Sequence, residues 1–353
     1  MASLLLRAHP RGRPSEVAGI VEWFGAMQAQ DLASVLWSLG VRLPSATLAD
    51  VNAELEDRRV VRTWPMRGTV HLIPSADAHW MLELMGGRAL AGAAARREII
   101  GLATETAERG VEVLGEVLRG ARLTRAQCLT ALAAAGVELT GDQTYHMLWY
   151  ASQLGVSAIA PHVGKEQTFV LLDEWAPRPN RPTRAEALGI VATRFVRGHG
   201  PVTRADLARW TGLSMADARA GLAAADVTAV RVDGTEMYVD PALAGLDLPG
   251  ADDWFALPGF DEYMLGYKDR SMILDDAHKQ AIVPGNNGIF KYTLVRGGRV
   301  VGTWKRTLGT RSVTVAVQPL VPFTAADRER AAEALEPFAA FVGLRLDVRW
   351  PAG

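Results

Sequence analysis

The feature of this sequence that most restricts its fold is a unit of three short helices and a hairpin, which recurs along the chain. In the first copy, apolar residues are spaced i, i+3, i+4 and i+7 over residues 17–24 and again over 32–39, as on one face of a helix. Asp31 is predicted to cap the second helix, Gly40 to end it, and Thr47 to begin a third. The pattern therefore predicts three short amphipathic helices in succession.

A hairpin follows these helices. The segment VVRTWPMRGTVHLI, residues 60–73, is rich in β-branched and aromatic residues and predicts two strands around a turn near Pro65. In the second strand, Thr69 and His71 alternate with apolar residues, so one side is expected to face a core and the other to be free. Three helices followed by a hairpin form a winged helix.

Two further copies of the unit follow. The third copy carries three helix-capping pairs and a dipeptide that favours a tight hairpin turn. These are Thr183 with Glu186, Thr203 with Asp206, Ser214 with Asp217, and Asp233 with Gly234. In the middle copy, RLTRAQ at 122–127 parallels PVTRAD at 201–206, and Thr140 with Gln143 caps the next helix. Its hairpin strands are expected near 156–160 and 167–172. The sequence thus predicts three tandem winged helices.

The chain changes character after Pro249. Short strands and glycine-rich turns at 284–288 and 297–298 predict a small β-rich domain. A last helix over about 324–341 and a strand over 344–350 are expected to close it. The expected fold class is therefore α+β. The expected parts are winged helix 1 over 1–74, winged helix 2 over 75–180, winged helix 3 over 181–249, and the β-rich domain over 250–353.

Charge is segregated along the chain, although the net charge is only −1. Residues 58–76 contain four arginines and a histidine without an acid, and residues 277–326 contain seven Lys or Arg, again without an acid. Residues 226–276 carry twelve acids against three bases. This segregation favours a cationic face that could bind a phosphate backbone. The alternative is that acids from neighbouring parts of the fold neutralise the basic stretches.

Several classes of protein are excluded by what the sequence lacks. A single cysteine, Cys128, cannot form an internal disulfide or a Cys-ligated zinc or iron–sulfur site, and it favours a reducing cytoplasm. The N-terminal apolar run is too short for a signal sequence, and no later run is long enough to span a membrane. The histidines lack metal-ligand spacing, and no Walker loop, nucleophile elbow or dinucleotide fingerprint occurs. We expect a cytoplasmic protein with neither metal nor cofactor.

Acidic pairs leave one metal-dependent alternative open. A pair of carboxylates could hold Mg²⁺ for phosphodiester cleavage, although solvated turn carboxylates are far more common. The candidate pairs are Asp252 with Asp253, Asp275 with Asp276, and Asp261 with Asp269.

Two glutamines separated by an alanine, Gln28 and Gln30, lie directly before Asp31. In a regular helix, side chains two residues apart point in nearly opposite directions. If Asp31 caps the second helix, the glutamines lie in an extended connection, both amides project to one side, and Ala29 turns inward. Two uncharged amides could then hold one water molecule in a fixed orientation. The alternative, which spacing alone favours, is that they cap helix ends or face solvent.

Several separate motifs, in order along nearly the whole chain, resemble one family. They are MQAQDLASVLWSLGVRL, RTWPMRGTVHLI, PGFDEYMLGYKDRSMIL, PGNNGIF and VVGTWKR. Together they resemble the bacterial winged-helix DNA glycosylases of the AlkZ and YcaQ type. The resemblance implies a C-shaped clamp of three winged helices with a barrel-like domain. It also implies excision of alkylated purines, including interstrand crosslinks, from double-stranded DNA, by a protein expected to be a monomer associated with the nucleoid when bound.

The active-site signature of that family is a glutamine, an apolar residue, and then glutamine or aspartate. Gln28, Ala29 and Gln30 match the form with two glutamines, which resembles the narrow, self-protective enzymes of organisms that make DNA-alkylating natural products. The form with aspartate accompanies a broader substrate range. The resemblance therefore implies that Gln28 and Gln30 are the catalytic residues.

The chemistry of an alkylated base fits two neutral amides. Guanine alkylated at N7 is cationic and already a good leaving group, so a strong acid is not needed to expel it. What remains is to position a water molecule and to tolerate an oxocarbenium-like sugar. A carboxylate would activate water more strongly, but it would endanger undamaged DNA. No lysine precedes Lys165, so simple hydrolysis is expected in place of a Schiff-base lyase reaction.

The candidates for DNA contact lie in two regions. Arg62, Arg67 and His71 are in the first hairpin, although His71 could instead be a structural histidine, and Trp64 is expected in the core more than as a stacking surface. The C-terminal candidates are Lys268, Arg270, Lys305 and Arg306, together with the turn containing Asn287 and its flanking residues His278 and Lys279, a possible minor-groove probe. The competing interpretation is a DNA-binding regulator or DNA-protecting protein without chemistry, usually a dimer that reads a palindrome.

Overall fold

A computed structural model describes residues 1–246 and 252–351, and the first unit has the predicted order of elements. The unit contains α1 (Val17–Phe24), β1 (Met27–Gln28), α2 (Leu32–Gly40), α3 (Leu48–Glu56), β2 (Val60–Met66) and β3 (Thr69–Pro74). Thr47 caps α3 in a reciprocal capping box with Asp50. Asp31 occupies the N-cap position of α2, but its carboxylate accepts a hydrogen bond from Ser34 Oγ at 2.5 Å and caps no backbone N–H.

Gly40, the last residue of α2, packs closely against the C-terminal helix. A Cβ at this position would lie 2.6 Å from the ring of Phe341. The helix ends at Gly40, as predicted, and the chain passes through Gly40 and Val41 without a positive φ. Trp37 packs against the same C-terminal helix, and its ring centroid lies 5.2 Å from that of Phe338 and 5.3 Å from that of Phe341. The absent side chain thus lets the C-terminal helix lie close against α2.

The turn of the first hairpin lies at Arg67 and Gly68, not near Pro65 as predicted. Both turn residues have positive φ, 56° and 67°, as in the tight turns that match the twist of a hairpin. Pro65 lies inside β2, where the pairing with β3 is interrupted between Thr63 and Met66. Proline has no N–H to donate, so it is tolerated at such an irregularity.

The side of β3 that was expected to be free is covered. His71, expected on that side, is fully buried. β1 pairs antiparallel with β3, with Met27 opposite Leu72 and Gln28 opposite His71. The first hairpin is therefore a sheet with β1 added along one edge, and this added strand carries the first glutamine.

The second unit contains two helices that the sequence analysis did not predict, α4 and α5, ahead of the repeat. Its elements are α4 (Ala78–Ala91), α5 (Ala93–Ile99), α6 (Thr104–Val117), β4 (Leu123–Thr124), α7 (Arg125–Ala134), α8 (Asp142–Gln153), β5 (Ser157–Val163), β6 (Glu166–Leu171) and α9 (Leu172–Trp175). The Gln143 side chain accepts from the Thr140 N–H at 3.0 Å, although α8 begins after Gly141. The hairpins of the first two units form one six-stranded sheet in the order β1-β3-β2-β5-β6-β4, joined where Arg62 pairs with Ile159.

The third unit has the predicted elements and caps. It contains α10 (Arg184–His199), α11 (Arg204–Thr211), α12 (Met215–Ala224), β7 (Thr228–Val232) and β8 (Thr235–Val239). Thr183, Thr203 and Ser214 each accept a backbone N–H at the start of their helices. The hairpin turn is at Asp233 and Gly234, with φ of 48° and 77°. The expected boundary after residue 249 lies outside the described residues.

The C-terminal part is an open sheet with a helix packed against it. Its elements are β9 (Trp254–Leu257), α13 (Glu262–Leu265), α14 (Lys279–Ile282), β10 (Tyr292–Arg296), β11 (Arg299–Leu308), β12 (Ser312–Pro319), α15 (Ala325–Phe341) and β13 (Arg345–Arg349). The strand order is β13-β12-β11-β10-β9, antiparallel except for the parallel pair of β12 and β13. Short 3₁₀ turns occur at Ser75–Asp77, Pro241–Leu243, Asp276–His278 and Pro284–Asn286. The chain is thus of the expected α+β class.

The glutamine strand lies where the two hydrophobic cores meet. One core contains Met27 with helices of the first and second units and the C-terminal sheet. The other contains Ala26 with the first hairpin, α4 and the third unit. Successive residues before Gln28 therefore anchor the strand in both cores. Across the described ranges, no helix has the length and apolar character that a membrane crossing requires.

Candidate active site

The chain is extended at Gln28, as the sequence analysis expected, but it bends at Gln30, directly before the N-cap residue Asp31. Beyond β1, Ala29 continues the pairing, because its N–H donates to the carbonyl oxygen of Val70 at 2.8 Å. Ala29 is completely buried. Since side chains alternate along an extended chain, Gln28 lies on the side opposite to Ala29, whereas the Gln30 side chain, after the bend, brings its Oε1 towards the N–H of Val70 on β3.

The two amides have different surroundings. Gln28 is half-buried, and its Oε1 is buried without a hydrogen-bond partner in the described structure. Gln30 is exposed, and its Oε1 lies 3.4 Å from the N–H of Val70. Neither amide caps a helix among the described residues, so of the alternatives to a catalytic role only exposure applies, and only to Gln30. An unpaired buried acceptor is costly unless water or a ligand meets it.

A buried carboxylate lies beneath Gln28, and the sequence analysis did not identify it. Glu262 is 1% exposed, and its Oε1 accepts the backbone N–H of Gln28 at 3.0 Å. Its Oε2 accepts from His199 Nε2 and from Trp210 Nε1, both at 3.0 Å. Burial alone would raise the pKa of Glu262, but the hydrogen bond and charge of His199 and the two N–H donors lower it to about 2.

Arg62 supports the backbone of the glutamine strand. Its Nη2 donates to the carbonyl oxygen of Ala29 at 2.8 Å, and its Nη1 lies 3.5 Å from His162 Nε2. Burial lowers the pKa of Arg62 to about 10, so it remains charged at neutral pH. The side chain is only 7% exposed, which leaves little of it for the direct phosphate contact that the sequence suggested.

His71 is a neutral, buried histidine. Burial, with a smaller effect from Arg67, lowers its pKa to about 3. Its Nδ1 lies 2.9 Å from the carbonyl oxygen of Thr69, so Nδ1 carries the proton and Nε2 is the acceptor. Arg67 Nη2 lies 3.4 Å from that Nε2. Its complete burial and its contact with Arg67 fit the structural alternative for His71. Trp64 is in the core, as expected.

Gln30 opens into a small pocket between the first two units. The pocket has a volume of about 150 Å³. It is lined by Gln30, Arg62, Trp64, Val70, Arg125, Tyr145, Leu148, Gln167 and Phe169. At roughly 30 Å³ per water molecule, it could hold about five waters. It therefore offers room for water beside Gln30, while Gln28 is not part of its lining.

A larger cationic cavity of about 870 Å³ lies at the junction of the three units, and Tyr145 lines both cavities. Arg67, Arg88, Arg96 and Arg209 contribute its positive charge. The one acid in its lining, Asp142, is paired with Arg96 at 2.6 Å. Arg88 and Arg209 escaped the sequence analysis because each is an isolated arginine within a helix; only the fold brings them beside Arg67.

Lys268 and Arg270 also lie near this cavity. The Nη1 of Arg209 is 3.4 Å from the carbonyl oxygen of Tyr267, the residue before Lys268. Burial, together with the charge of Arg209, lowers the pKa of Arg270 to about 10. Lys268 is exposed, while Arg270 lies over the ring of Phe290. The structure thus joins one C-terminal basic pair to the arginines of the other units.

The remaining C-terminal candidates make no direct hydrogen bond to the glutamine strand within the described residues. Arg306 donates to the hydroxyl of Tyr292, which accepts from Ser34, the partner of Asp31; Lys305 is exposed. Lys279 pairs with Asp276 at 2.8 Å, and Asn287 Oδ1 accepts the N–H of Ile289. His278 is half-buried. Through the ranges that the structure covers, no hydrogen bond joins His278, Lys279 or Asn287 to the glutamine strand.

Neighbouring acids neutralise part of the basic stretches, as the alternative required. Arg59 pairs with Glu16, and Arg296 pairs with Asp252 and Asp327. Arg67, Lys305 and Arg306 have no carboxylate partner within the described ranges. The magnesium alternative finds little support, because Asp261 is buried against Arg42, at 2.8 Å, far from solvent. No group of three potential metal ligands occurs among the described residues.

Comparisons with known proteins agree on one family. A family model described as DNA glycosylase AlkZ-like matches residues 21–341. The chain is similar to an interstrand DNA cross-link repair glycosylase of Streptomyces sahachiroi, at 25% identity over 316 residues, which cover 84% of this chain and 83% of that protein. It also has the fold of the solved Streptomyces sahachiroi DNA glycosylase AlkZ, with a TM-score of 0.79 and 24% identity over 99% of this chain and 96% of that one.

Proposed function

The chain belongs to the AlkZ-like DNA glycosylase family, and from this premise we propose that it hydrolyses the N-glycosidic bond of N7-alkylguanine in duplex DNA. The observation that carries the proposal is the unpaired Gln28 Oε1 on the edge strand, two residues before Gln30, which lines a small pocket that shares Tyr145 with the arginine-lined cavity. The catalytic groups are two neutral amides, so the substrate must supply its own leaving-group activation.

An N7-alkylated guanine meets that requirement. In the reaction, the oxygen of a water molecule bonds to C1′ as the C1′–N9 bond breaks. The electron pair of that bond neutralises the cationic purine, and the attacking water releases a proton to solvent. The products are an abasic site and a neutral alkylated base, without a protein acid or a covalent intermediate.

Gln28 and Gln30 act by orienting that water. Gln28 Oε1 accepts one water hydrogen, and the exposed Gln30 amide, which lines the small pocket, bonds the same water. Positioning of this kind lowers the barrier by several kcal/mol without proton transfer to the protein. The nearest ionisable groups, His71 with a pKa of about 3 and Glu262 with a pKa of about 2, do not titrate at neutral pH.

The arginine-lined cavity and its neighbours bind the phosphate backbone. Arg67, Arg209 and Lys268 carry charge at its rim, and Arg88 has no ion-pair partner in the described chain. Lys305 and Arg306 extend this surface along the C-terminal sheet. The segment with His278, Lys279 and Asn287 contacts the minor groove. His71 acts indirectly by holding Arg67 at 3.4 Å.

The biological substrate we propose is a bulky N7 adduct or an interstrand crosslink, made by a genotoxic natural product against which the enzyme protects its host. A crosslinked purine cannot swing freely out of the duplex, because it is tied to both strands. The exposed position of Gln30 suits attack on a base that stays close to the helix. The protein would act as a monomer on the nucleoid.

The experiment that tests this function is incubation of the purified protein with a labelled duplex containing N7-methylguanine, followed by mild alkali. Strand cleavage at the modified position is expected, because alkali cuts abasic sites. A DNA-binding regulator would shift the duplex in a gel yet yield no alkali-labile site. That outcome, at protein concentrations that saturate the DNA, would reject the enzymatic proposal in favour of the regulator.

A further inference from the structure

Two adjacent acids of the PGFDEY motif, Asp261 and Glu262, are both buried, but they serve different partners. Asp261 bonds Arg42 and Ser38 within the body of α2. Glu262 instead bonds the backbone of Gln28 together with His199 and Trp210. Neither the proposed reaction nor the proposed DNA contact uses Glu262.

Glu262 takes the place of a neighbouring strand. β1 is the edge strand of the six-stranded sheet. The Ala29 N–H points to Val70 on β3, so the N–H of Gln28, one residue earlier, points away from the sheet. An outward N–H on an edge strand has no strand partner, and when buried it must be bonded by another group. The Glu262 carboxylate is that group, at 3.0 Å.

The other oxygen of Glu262 is held by two donors from the third unit. His199 Nδ1 lies 3.0 Å from the carbonyl oxygen of Phe195, and Nε2 lies 3.0 Å from Glu262. Each ring nitrogen of His199 therefore faces an acceptor, one on its own helix and one on Glu262. Gly266 allows this approach, because a Cβ there would lie 2.3 Å from His199 Cδ2. Charge-assisted bonds of this kind are short and direct the carboxylate firmly.

We propose that Glu262 is a positioning residue for hydrolysis, which fixes the backbone of Gln28 and so sets the place of its amide relative to that of Gln30. The inference rests on the proposed function. Gln30 is held separately: the Ala29 N–H donates to Val70, and the Ala29 carbonyl oxygen accepts from Arg62. Loss of the Glu262 contact would move one amide and leave the other in place, which would disrupt the shared water site.

The test compares Glu262→Gln with Asp77→Asn. Asp77 is a matched control, because it is a buried carboxylate that also accepts from an indole, Trp80 Nε1 at 2.8 Å, and from a cation, Arg194 at 2.6 Å. It has no hydrogen bond to the glutamine strand within the described residues. For each variant we would measure the single-turnover rate of N7-methylguanine release, the Kd for the lesion duplex and the Tm.

We expect Glu262→Gln to lower the single-turnover rate about 10- to 100-fold, the range expected for a misplacement of about 1 Å. Its Kd should stay within about twofold of the parent value, since the phosphate contacts are unchanged. Asp77→Asn should lower Tm by a similar amount but keep the rate. A rate within twofold of the parent for Glu262→Gln, or a loss of rate in Asp77→Asn that matches it, would overturn the inference.

A milder variant keeps the inference testable if Glu262→Gln does not fold. Trp210→Phe removes one donor to Glu262 and retains an aromatic ring of similar shape. A fall of about threefold to tenfold in rate, with an unchanged Kd, supports the inference, and an unchanged rate contradicts it. Failure of the proposed function itself would look different, because the unaltered protein would then release no base.

Discussion

Replacing Gln30 by aspartate tests whether the site works because it is neutral. A carboxylate at Gln30 would face the positive charge that develops on the sugar. At a separation of about 4 Å, the attraction between unit charges is about 1 kcal/mol in water and about 4 kcal/mol at an effective dielectric constant of 20. Gln30 is exposed, so we expect about 1–2 kcal/mol, which corresponds to a factor of about 5–30 in rate.

The gain should depend on the substrate and on pH. A neutral damaged purine such as hypoxanthine needs more help to leave than N7-methylguanine, so Gln30→Asp should accelerate its release relative to that of the cationic base. An aspartate ordinarily titrates at about pH 4, and its effect should fade as pH drops through that value. In the unaltered protein Glu262, His71 and Arg62 should add no pH dependence between about pH 5 and 9, because their pKa values are about 2, 3 and 10.

The assay is single-turnover release of each base from a synthetic duplex, with enzyme in excess, over this range of pH. Gln318→Ala serves as a control, since it removes an exposed amide on β12 far along the C-terminal sheet. A sigmoidal pH profile in the unaltered protein would mean that a titrating group takes part in the reaction. Equal rates of hypoxanthine release by the parent and by Gln30→Asp would refute the electrostatic reasoning.

Three further outcomes are expected from the structure. Arg209→Ala should weaken binding to any duplex and reduce the slope of the logarithm of the binding constant against the logarithm of salt concentration by about one. Arg59→Ala is the control, because Arg59 is paired with Glu16, and it should leave that slope unchanged. Equal slopes for the two variants would show that Arg209 does not contact DNA. Gly40→Ala should lower stability by about 1–3 kcal/mol in a urea titration, because its Cβ would meet Phe341 at 2.6 Å; an unaltered midpoint would contradict the packing argument. Arg62→Met should lower the excision rate by a larger factor than it lowers the affinity for DNA, because Arg62 is buried and bonds Ala29. A loss of affinity without a loss of rate would make Arg62 a phosphate contact.

Local chemistry made the helices and caps predictable. A capping box such as Thr183 with Glu186 is decided by residues three positions apart, so it can be recognised without the fold. The turn at Asp233 and Gly234 is of the same kind. The extended chain at Gln28 was expected from the N-cap position of Asp31, although that carboxylate bonds Ser34 instead of the backbone and the chain bends at Gln30.

The sequence did not predict local structure or burial correctly where contacts with distant segments of the chain determine them. The first hairpin turns at Arg67 and Gly68, although Pro65 gave the stronger turn signal, because a proline can remain in a strand at a break in pairing. α2 ends at Gly40 as predicted, but the sequence could not show that the missing side chain makes room for Phe341, far along the chain. The alternation around His71 could not show that its polar side would be buried.

The same limit applies to the candidate site. The glutamines were found because they form a motif within three residues. Glu262 belongs to a motif that the sequence analysis quoted, yet its bond to the backbone of Gln28 joins residues from opposite ends of the chain. Arg88 and Arg209 are single arginines within helices, and only the packing of the three units gathers them with Arg67. A backbone amide as a hydrogen-bond partner leaves no trace in the sequence.

The most direct measurement is the single-turnover rate of N7-methylguanine release by the double variant Gln28→Ala, Gln30→Ala, with the Kd for the same duplex measured in parallel. If the amides orient the attacking water, the rate should fall by about 100-fold or more while the Kd changes by less than about threefold. A double variant that binds the lesion duplex normally and releases the base at the parental rate would contradict the central claim.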